Sequence, residues 1–211
     1  MEAPTAPYRA TANQRSPSRQ SQSSVQRSLS QRTSSTKWWV SGSAFVVLVA
    51  SRDAAVAWQL VGSIAAAFNC KLLKRVLNHE RPDGAQKSDP GMPSSHAQSL
   101  AFLGTSAAIG LRVWCQDATL ALAAPGAMMA LAVFLTWLRV ELGFHTGPQV
   151  VVGFVLGAVS ALAWRWLGTE AALPMFTSSA AATLALWALV GVAGVAFAVK
   201  NVLAWAKEKA Q

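Results

Sequence analysis

Three short polar stretches interrupt an otherwise apolar chain, and each carries residue types suited to handling a phosphate. The first reads Lys74-Arg75-Val76-Leu77-Asn78-His79-Glu80-Arg81-Pro82. Lys74 and Arg81 are seven residues apart and share a face if a helix continues between them, although Pro82 disfavours helix at Arg81. Two cations on one face can hold a phosphate. The second stretch, Pro93-Ser94-Ser95-His96, directly precedes an apolar run that begins at Ala97. Serines in that place cap a helix N-terminus, whose N–H groups and positive dipole end attract an anion, and His96 falls on the first turn. The third stretch runs from Arg139 through His145 to Gln149. Once helical, His145 and Gln149 are four residues apart on one face, so the amide can reach a ring nitrogen. The chemistry these groups fit is phosphoryl transfer. Lys74, Arg81 and Arg139 would bind the group, one imidazole would attack phosphorus, and the other would protonate the leaving oxygen. His79, beside Glu80, matches none of these roles and reads as a loop residue, and Glu141 is assigned none.

Each feature alone has a plainer reading. Lys74 and Arg75 can be stop-transfer charges, Arg139 a snorkelling anchor, and each histidine an interfacial polar residue. It is the ordered occurrence of all three stretches that argues for a site.

The elements that must position these residues are membrane helices. Of 211 residues, 53% are hydrophobic and 13% charged, with mean hydropathy +0.33, which excludes most soluble globular classes. Apolar runs fall at about 38 to 51, 54 to 73, 97 to 115, 118 to 138, 146 to 167 and 181 to 204. Most are long enough to span a bilayer. The expected fold is therefore all-α, a polytopic membrane helix bundle of about six helices, and too small for a larger transporter or a two-domain enzyme. Its first helix, with about 14 residues before Arg52 and Asp53, is short for a span and reads as tilted, interfacial or re-entrant.

Most of the nine tryptophans lie near run ends, where amphipathic rings favour the interface, and only Trp187 lies well inside. Gly153 with Gly157, and Gly191 with Gly194, are spaced for close helix packing. Cys70 and Cys115 stand alone and read as packing residues, not metal or redox groups. The polar stretches obey a parity rule. The first two share one loop and the third follows two further crossings, so all three return to one membrane face.

Residues 1–37 carry five of the nine net positive charges, through Arg9, Arg15, Arg19, Arg27, Arg32 and Lys37 against Glu2. Rich in Ser, Arg, Gln and Thr, they read as a disordered basic leader with the composition of a transit peptide. Residues 38–211 form the membrane domain. A basic arm also suits nucleic acid, but without interleaved aromatics and before a membrane domain its counter-charge is an anionic membrane surface.

At its polar stretches the chain resembles the type 2 phosphatidic acid phosphatase superfamily, whose motifs read K-x6-R-P, P-S-G-H and S-R-x5-H-x3-D. Here they stand as Lys74-x6-Arg81-Pro82, Pro93-Ser94-Ser95-His96 and Arg139-x5-His145-x3-Gln149. The resemblance implies dephosphorylation through a phosphohistidine, with no metal or other cofactor. His145 would be the nucleophile, His96 the acid for the leaving group, and Lys74, Arg81, Ser94, Ser95 and Arg139 the phosphate ligands. Three positions depart from the pattern: Ser95 replaces Gly, Leu138 replaces Ser, and Gln149 replaces the Asp that orients the nucleophile. A neutral amide can accept from an imidazole N–H and fix its tautomer, but it does not stabilise an imidazolium as a carboxylate does.

The stretches Ser88 to Ser99, Trp137 to Val140, His145-Thr146 and Gln149 to Gly153 are similar to the plant plastidial epsilon subgroup. Pro-Ser-Ser-His and His-Thr-x-x-Gln are also similar to dolichyl diphosphatases. This implies a plastid inner-envelope enzyme that converts phosphatidic acid to diacylglycerol and phosphate. The alternatives are a polyprenyl or dolichyl diphosphate phosphatase of the endoplasmic reticulum, or a silent binder of lipid phosphates.

Overall fold

A computed structural model describes residues 50–80 and 90–209. The run at 38 to 51, Trp38, Trp39, the leader and Arg81 lie almost wholly or wholly outside these. Regular structure among the described residues is entirely helical: α1 Ala54–Leu77, α2 Ser95–Trp114, α3 Ala118–Glu141, α4 Gly147–Leu167, a π-helical turn Gly168–Ala172, α5 Leu173–Ser178 and α6 Ala180–Lys209. Each of the other five expected runs is thus one of the long helices, with ends shifted by a few residues.

Helix ends follow local chemistry. Asp53 caps α1, its Oδ1 accepting from Ala55 N at 2.8 Å, and Asp117 Oδ1 accepts from Thr119 N and Leu120 N at 2.9 Å to start α3. After α4 the Leu173 amide bonds to the Gly168 carbonyl, giving one π turn just before Pro174, whose missing N–H loosens the regular ladder there.

Among the described residues, four helical segments are long and apolar enough to cross a membrane: Ala54–Leu77, Ala118–Glu141, Gly147–Ser178 and Ala180–Lys200. Helix α2 is not among them, because its sequence includes Gln98, Thr105 and Ser106. It is instead the packed centre, lying most extensively against α4 and α3 and also against α1. Ala97, Ala101, Phe102, Gly104 and Ala108 are buried along it. Gly153 and Gly157 let α4 press its backbone onto α2: a Cβ on Gly153 would stand 2.5 Å from the Ser94 carbonyl, and one on Gly157 would collide with that of Gln98.

Gly191 and Gly194 differ, since among the described residues nothing lies within 4 Å of where a Cβ would project. Small residues permit close packing, but only where the helix turns them toward a neighbour. Interior and exterior are otherwise inverted relative to a water-soluble protein. Apart from Phe102 and Leu186 the core is mostly small or polar, whereas Phe68, Leu122, Val151, Val159, Leu184 and Val192 point outward. Large apolar side chains on the outside are what lipid tails solvate.

Candidate active site

Helix α3 delivers Arg139 and the chain reversal after it delivers His145. Gly143, at φ +70°, takes the left-handed conformation after the cap residue Leu142. Its N–H bonds to the Val140 carbonyl at 2.9 Å, while Phe144 N reaches the Arg139 carbonyl at 3.1 Å. These paired bonds form a Schellman motif, which glycine enters without the Cβ penalty. His145 N also reaches the Arg139 carbonyl, at 3.3 Å. The five residues between Arg139 and His145 are thus the last turn of a helix plus a capped reversal. This geometry folds the histidine back beneath the arginine.

Gln149 organises the site. It is fully buried at the third position of α4, and its Oε1 accepts from Thr146 N at 3.2 Å, as in a capping box. The same oxygen lies 3.1 Å from His145 Nδ1. An amide oxygen only accepts, so His145 carries its proton on Nδ1 and a lone pair on Nε2. At the other end of the amide, Nε2 donates to the Glu80 carbonyl at 2.7 Å and lies 3.3 Å from His79 Nδ1. The Gln149 main-chain carbonyl takes the Ser94 amide at 3.0 Å, and a Cβ on Gly91 would stand 2.5 Å from Gln149 Nε2. All three polar stretches therefore meet at this one residue.

The second stretch behaves as its composition predicts. Ser94 caps α2 through its hydroxyl, which accepts from Ala97 N at 3.4 Å, and it is fully buried. Ser95 is exposed on the first turn. The first N–H groups of any helix lack an intrahelical carbonyl, so this turn faces the site with donors. Arg139 Nη2 lies 2.8 Å from His96 Nε2, and since a guanidinium only donates, this nitrogen of His96 is unprotonated. Arg139 also lies over the Phe144 ring, 5.3 Å from its centroid.

Lys74 is buried at the end of α1 and donates to the Pro90 carbonyl at 2.7 Å. The helix does not continue toward Arg81. It ends at Leu77 because Asn78 turns left-handed, at φ 39°, with its N–H on the Lys74 carbonyl. A shared helical face for Lys74 and Arg81 is therefore ruled out, and Arg81 lies outside the described residues.

Lys74, Ser94, Ser95, His96, Arg139, His145 and Gln149 all lie at one end of the bundle, as parity requires. Two groups that sequence reasoning left without a role join them: His79 and the Glu80 carbonyl. Asn78 was the available signal, since a left-handed residue after α1 turns the next two toward Gln149. The buried Cys70 Sγ lies 3.8 Å from the Pro93 carbonyl, a packing position. Among the described residues, no three His, Cys, Asp or Glu side chains are grouped as a metal site requires.

This constellation of a tautomer-fixed imidazole, a second imidazole on an arginine, and a helix N-terminus is suited to phosphoryl transfer. The PAP2 superfamily profile matches residues 55–172, which include all of it. The chain belongs to the PAP2 superfamily. It is 37% identical over 173 residues to lipid phosphate phosphatase epsilon 2, chloroplastic, of Arabidopsis thaliana, covering 82% of this chain and 60% of that protein. To the epsilon 1 protein of the same plant it is 33% identical over 174 residues, covering 82% and 62%. Human dolichyldiphosphatase 1 is 30% identical over 128 residues, covering 52% and 51%. The chain thus spans about three-fifths of the length of its epsilon relatives. No solved structure matches it. The chain has Gln at position 149, and the surrounding bonds account for how an amide fits there.

Proposed function

We propose that the protein is an integral membrane lipid phosphate phosphatase that converts phosphatidic acid to diacylglycerol and phosphate. The observation that carries this reading is the bond from His145 Nδ1 to Gln149 Oε1, which leaves Nε2 with the lone pair a nucleophile needs. The lipid enters laterally, its acyl chains along the bundle and its phosphate among Lys74, Arg139, Arg81 and the first turn of α2, Ser94 and Ser95 included. A phosphate dianion is a better acceptor than a neutral imidazole, so Arg139 transfers from His96 to phosphate oxygen. The dianion in turn favours a proton on His96. His145 Nε2 then forms a bond to phosphorus as the ester P–O bond breaks, and His96 gives its proton to the departing diacylglycerol oxygen. Water next attacks the phosphohistidine, His96 takes the proton, and phosphate leaves. No step calls on a metal ion.

Architecture and location belong to the same reading. We infer a bundle of about six helices in which the run at 38 to 51 supplies a short first one. Residues 1–37 act as a chloroplast transit peptide before a membrane domain at 38–211, in keeping with the chloroplastic names of the two epsilon relatives. The similarity to dolichyldiphosphatase supports a second reading, hydrolysis of a polyprenyl diphosphate in the endoplasmic reticulum. Purified full-length protein assayed side by side on phosphatidic acid and a polyprenyl diphosphate separates them, with faster turnover of phosphatidic acid expected. His145→Ala is expected to lower that turnover at least roughly a thousandfold. Wild-type turnover in His145→Ala would overturn the nucleophile assignment.

A further inference from the structure

We propose that His79, acting with the Glu80 carbonyl, is a positioning residue that decides which end of the Gln149 amide faces the nucleophile. The inference rests on His145 being that nucleophile. The two ends of an amide have nearly the same shape, and only their hydrogen bonds distinguish them. With Oε1 toward His145, the imidazole proton sits on Nδ1 and the lone pair on Nε2. With the amide reversed, an NH2 group would face Nδ1, which would then have to be the acceptor. The proton would move to Nε2, and the attacking nitrogen would lose its lone pair.

Contacts at both ends hold the productive orientation. Oε1 accepts from the Thr146 main chain as well as from His145, at 3.2 and 3.1 Å. Nε2 carries two protons, of which one goes to the Glu80 carbonyl at 2.7 Å. The other points to His79 Nδ1 at 3.3 Å. In that arrangement His79 keeps a lone pair on Nδ1 and its proton on Nε2, whereas in the other tautomer the same Nδ1 would donate to the Glu80 carbonyl, 3.0 Å away. A reversed amide would set its oxygen against the Glu80 carbonyl, which can only accept, and would force His79 to change tautomer to meet it.

The segment is held in place for this task. Asn78 turns it in from α1, and the His79 carbonyl accepts from Gly91 N at 2.6 Å, so the loop is tied to the strand of chain entering α2. His79 is itself exposed, so replacing it disturbs no core.

The test uses the full chain in detergent micelles with dioctanoyl phosphatidic acid. His79→Ala is expected to lower kcat about three- to tenfold, the weight of one hydrogen bond, with KM within about twofold. His79→Asn, whose Oδ1 can accept at the same place, is expected to recover at least half of the loss. An unchanged kcat in His79→Ala, a rise in KM alone, or His79→Asn as slow as His79→Ala would each overturn the proposal. A second readout needs no turnover: 15N shifts of labelled histidine, with His145 assigned by its loss in His145→Ala, report the ring tautomer. The Nδ1-protonated form is expected to dominate in the wild type and to lose population in His79→Ala, and an unchanged tautomer would sink the idea. Loss of activity in His145→Ala beside full activity in His79→Ala would remove this inference alone, whereas an active His145→Ala protein would remove the parent reading.

Discussion

Helices α1 and α4 are fastened to each other twice, once at each end, by bonds of different character. At one end, Trp58 and Trp164 stack with centroids 4.4 Å apart, and each indole N–H donates to the other residue's main-chain carbonyl, at 3.2 and 2.8 Å. At the other, the segment after α1 meets α4 through the Gln149 amide, with His79 and Glu80 on one side and His145 on the other. The indole pair is closed, for each side chain bonds only to backbone and stacks on its twin. The amide is open, because it passes the geometry of one segment to a reactive ring. The same two helices thus have one fastening that serves stability and one whose register determines a tautomer.

That contrast makes ordered predictions. The largest effect is expected from Gln149→Glu, which sets a carboxylate oxygen against the Glu80 carbonyl at a fully buried position. Phosphatase turnover should fall roughly 10- to 100-fold at neutral pH. By the same logic Gln149→Asp should lower turnover, since it restores the superfamily carboxylate without a donor for Glu80. A gain would show that the amide is merely tolerated.

Next comes Gly91→Ala, whose methyl would stand 2.5 Å from Gln149 Nε2 and must displace the amide. Turnover should drop about tenfold, the scale of one lost buried hydrogen bond, and the melting temperature in detergent should fall with it. Gly143→Val forces a β-branched residue to φ +70°, at a cost of about 1–2 kcal/mol, and shifts the reversal that carries His145. A lower melting temperature and a several-fold loss of turnover should appear together. The smallest effect on chemistry belongs to Trp58→Phe, which keeps an aromatic ring but removes the donor to Trp164. It should cost about 1 kcal/mol of stability and leave turnover within about twofold of wild type. A large loss of activity there would mean that the two fastenings are coupled.

Much of this was legible in the residues themselves. Long apolar runs marked five helices, and the fixed spacings of Lys74, His96, Arg139 and His145 marked the end of the bundle where they meet. Legibility failed where a local backbone choice overrode periodicity. The seven-residue spacing of Lys74 and Arg81 suggested a helical face, but Asn78 ends the helix first and sends His79 to Gln149. Gly191 and Gly194 had the spacing of a packing seam, yet on α6 no described residue packs against them. Gln149 was visible as a partner for His145, while its bonds to Glu80 and His79 come from a segment some 70 residues earlier, a closure no local pattern encodes.

The polar character of α2 has a consequence for how the protein is made. Gln98 Nε2 bonds to the Ala66 carbonyl at 2.9 Å and the Ser106 hydroxyl to Gln59 Oε1 at 3.3 Å, so the partners of both lie on α1. Because α1 precedes α2 in the chain, it enters the bilayer first when helices insert in chain order and can receive these groups as they follow. A helix too polar to partition alone is thus delivered beside the one that solvates it. A circular permutant that synthesises α2 before α1 would present those side chains to lipid first, and less of it should reach the membrane intact.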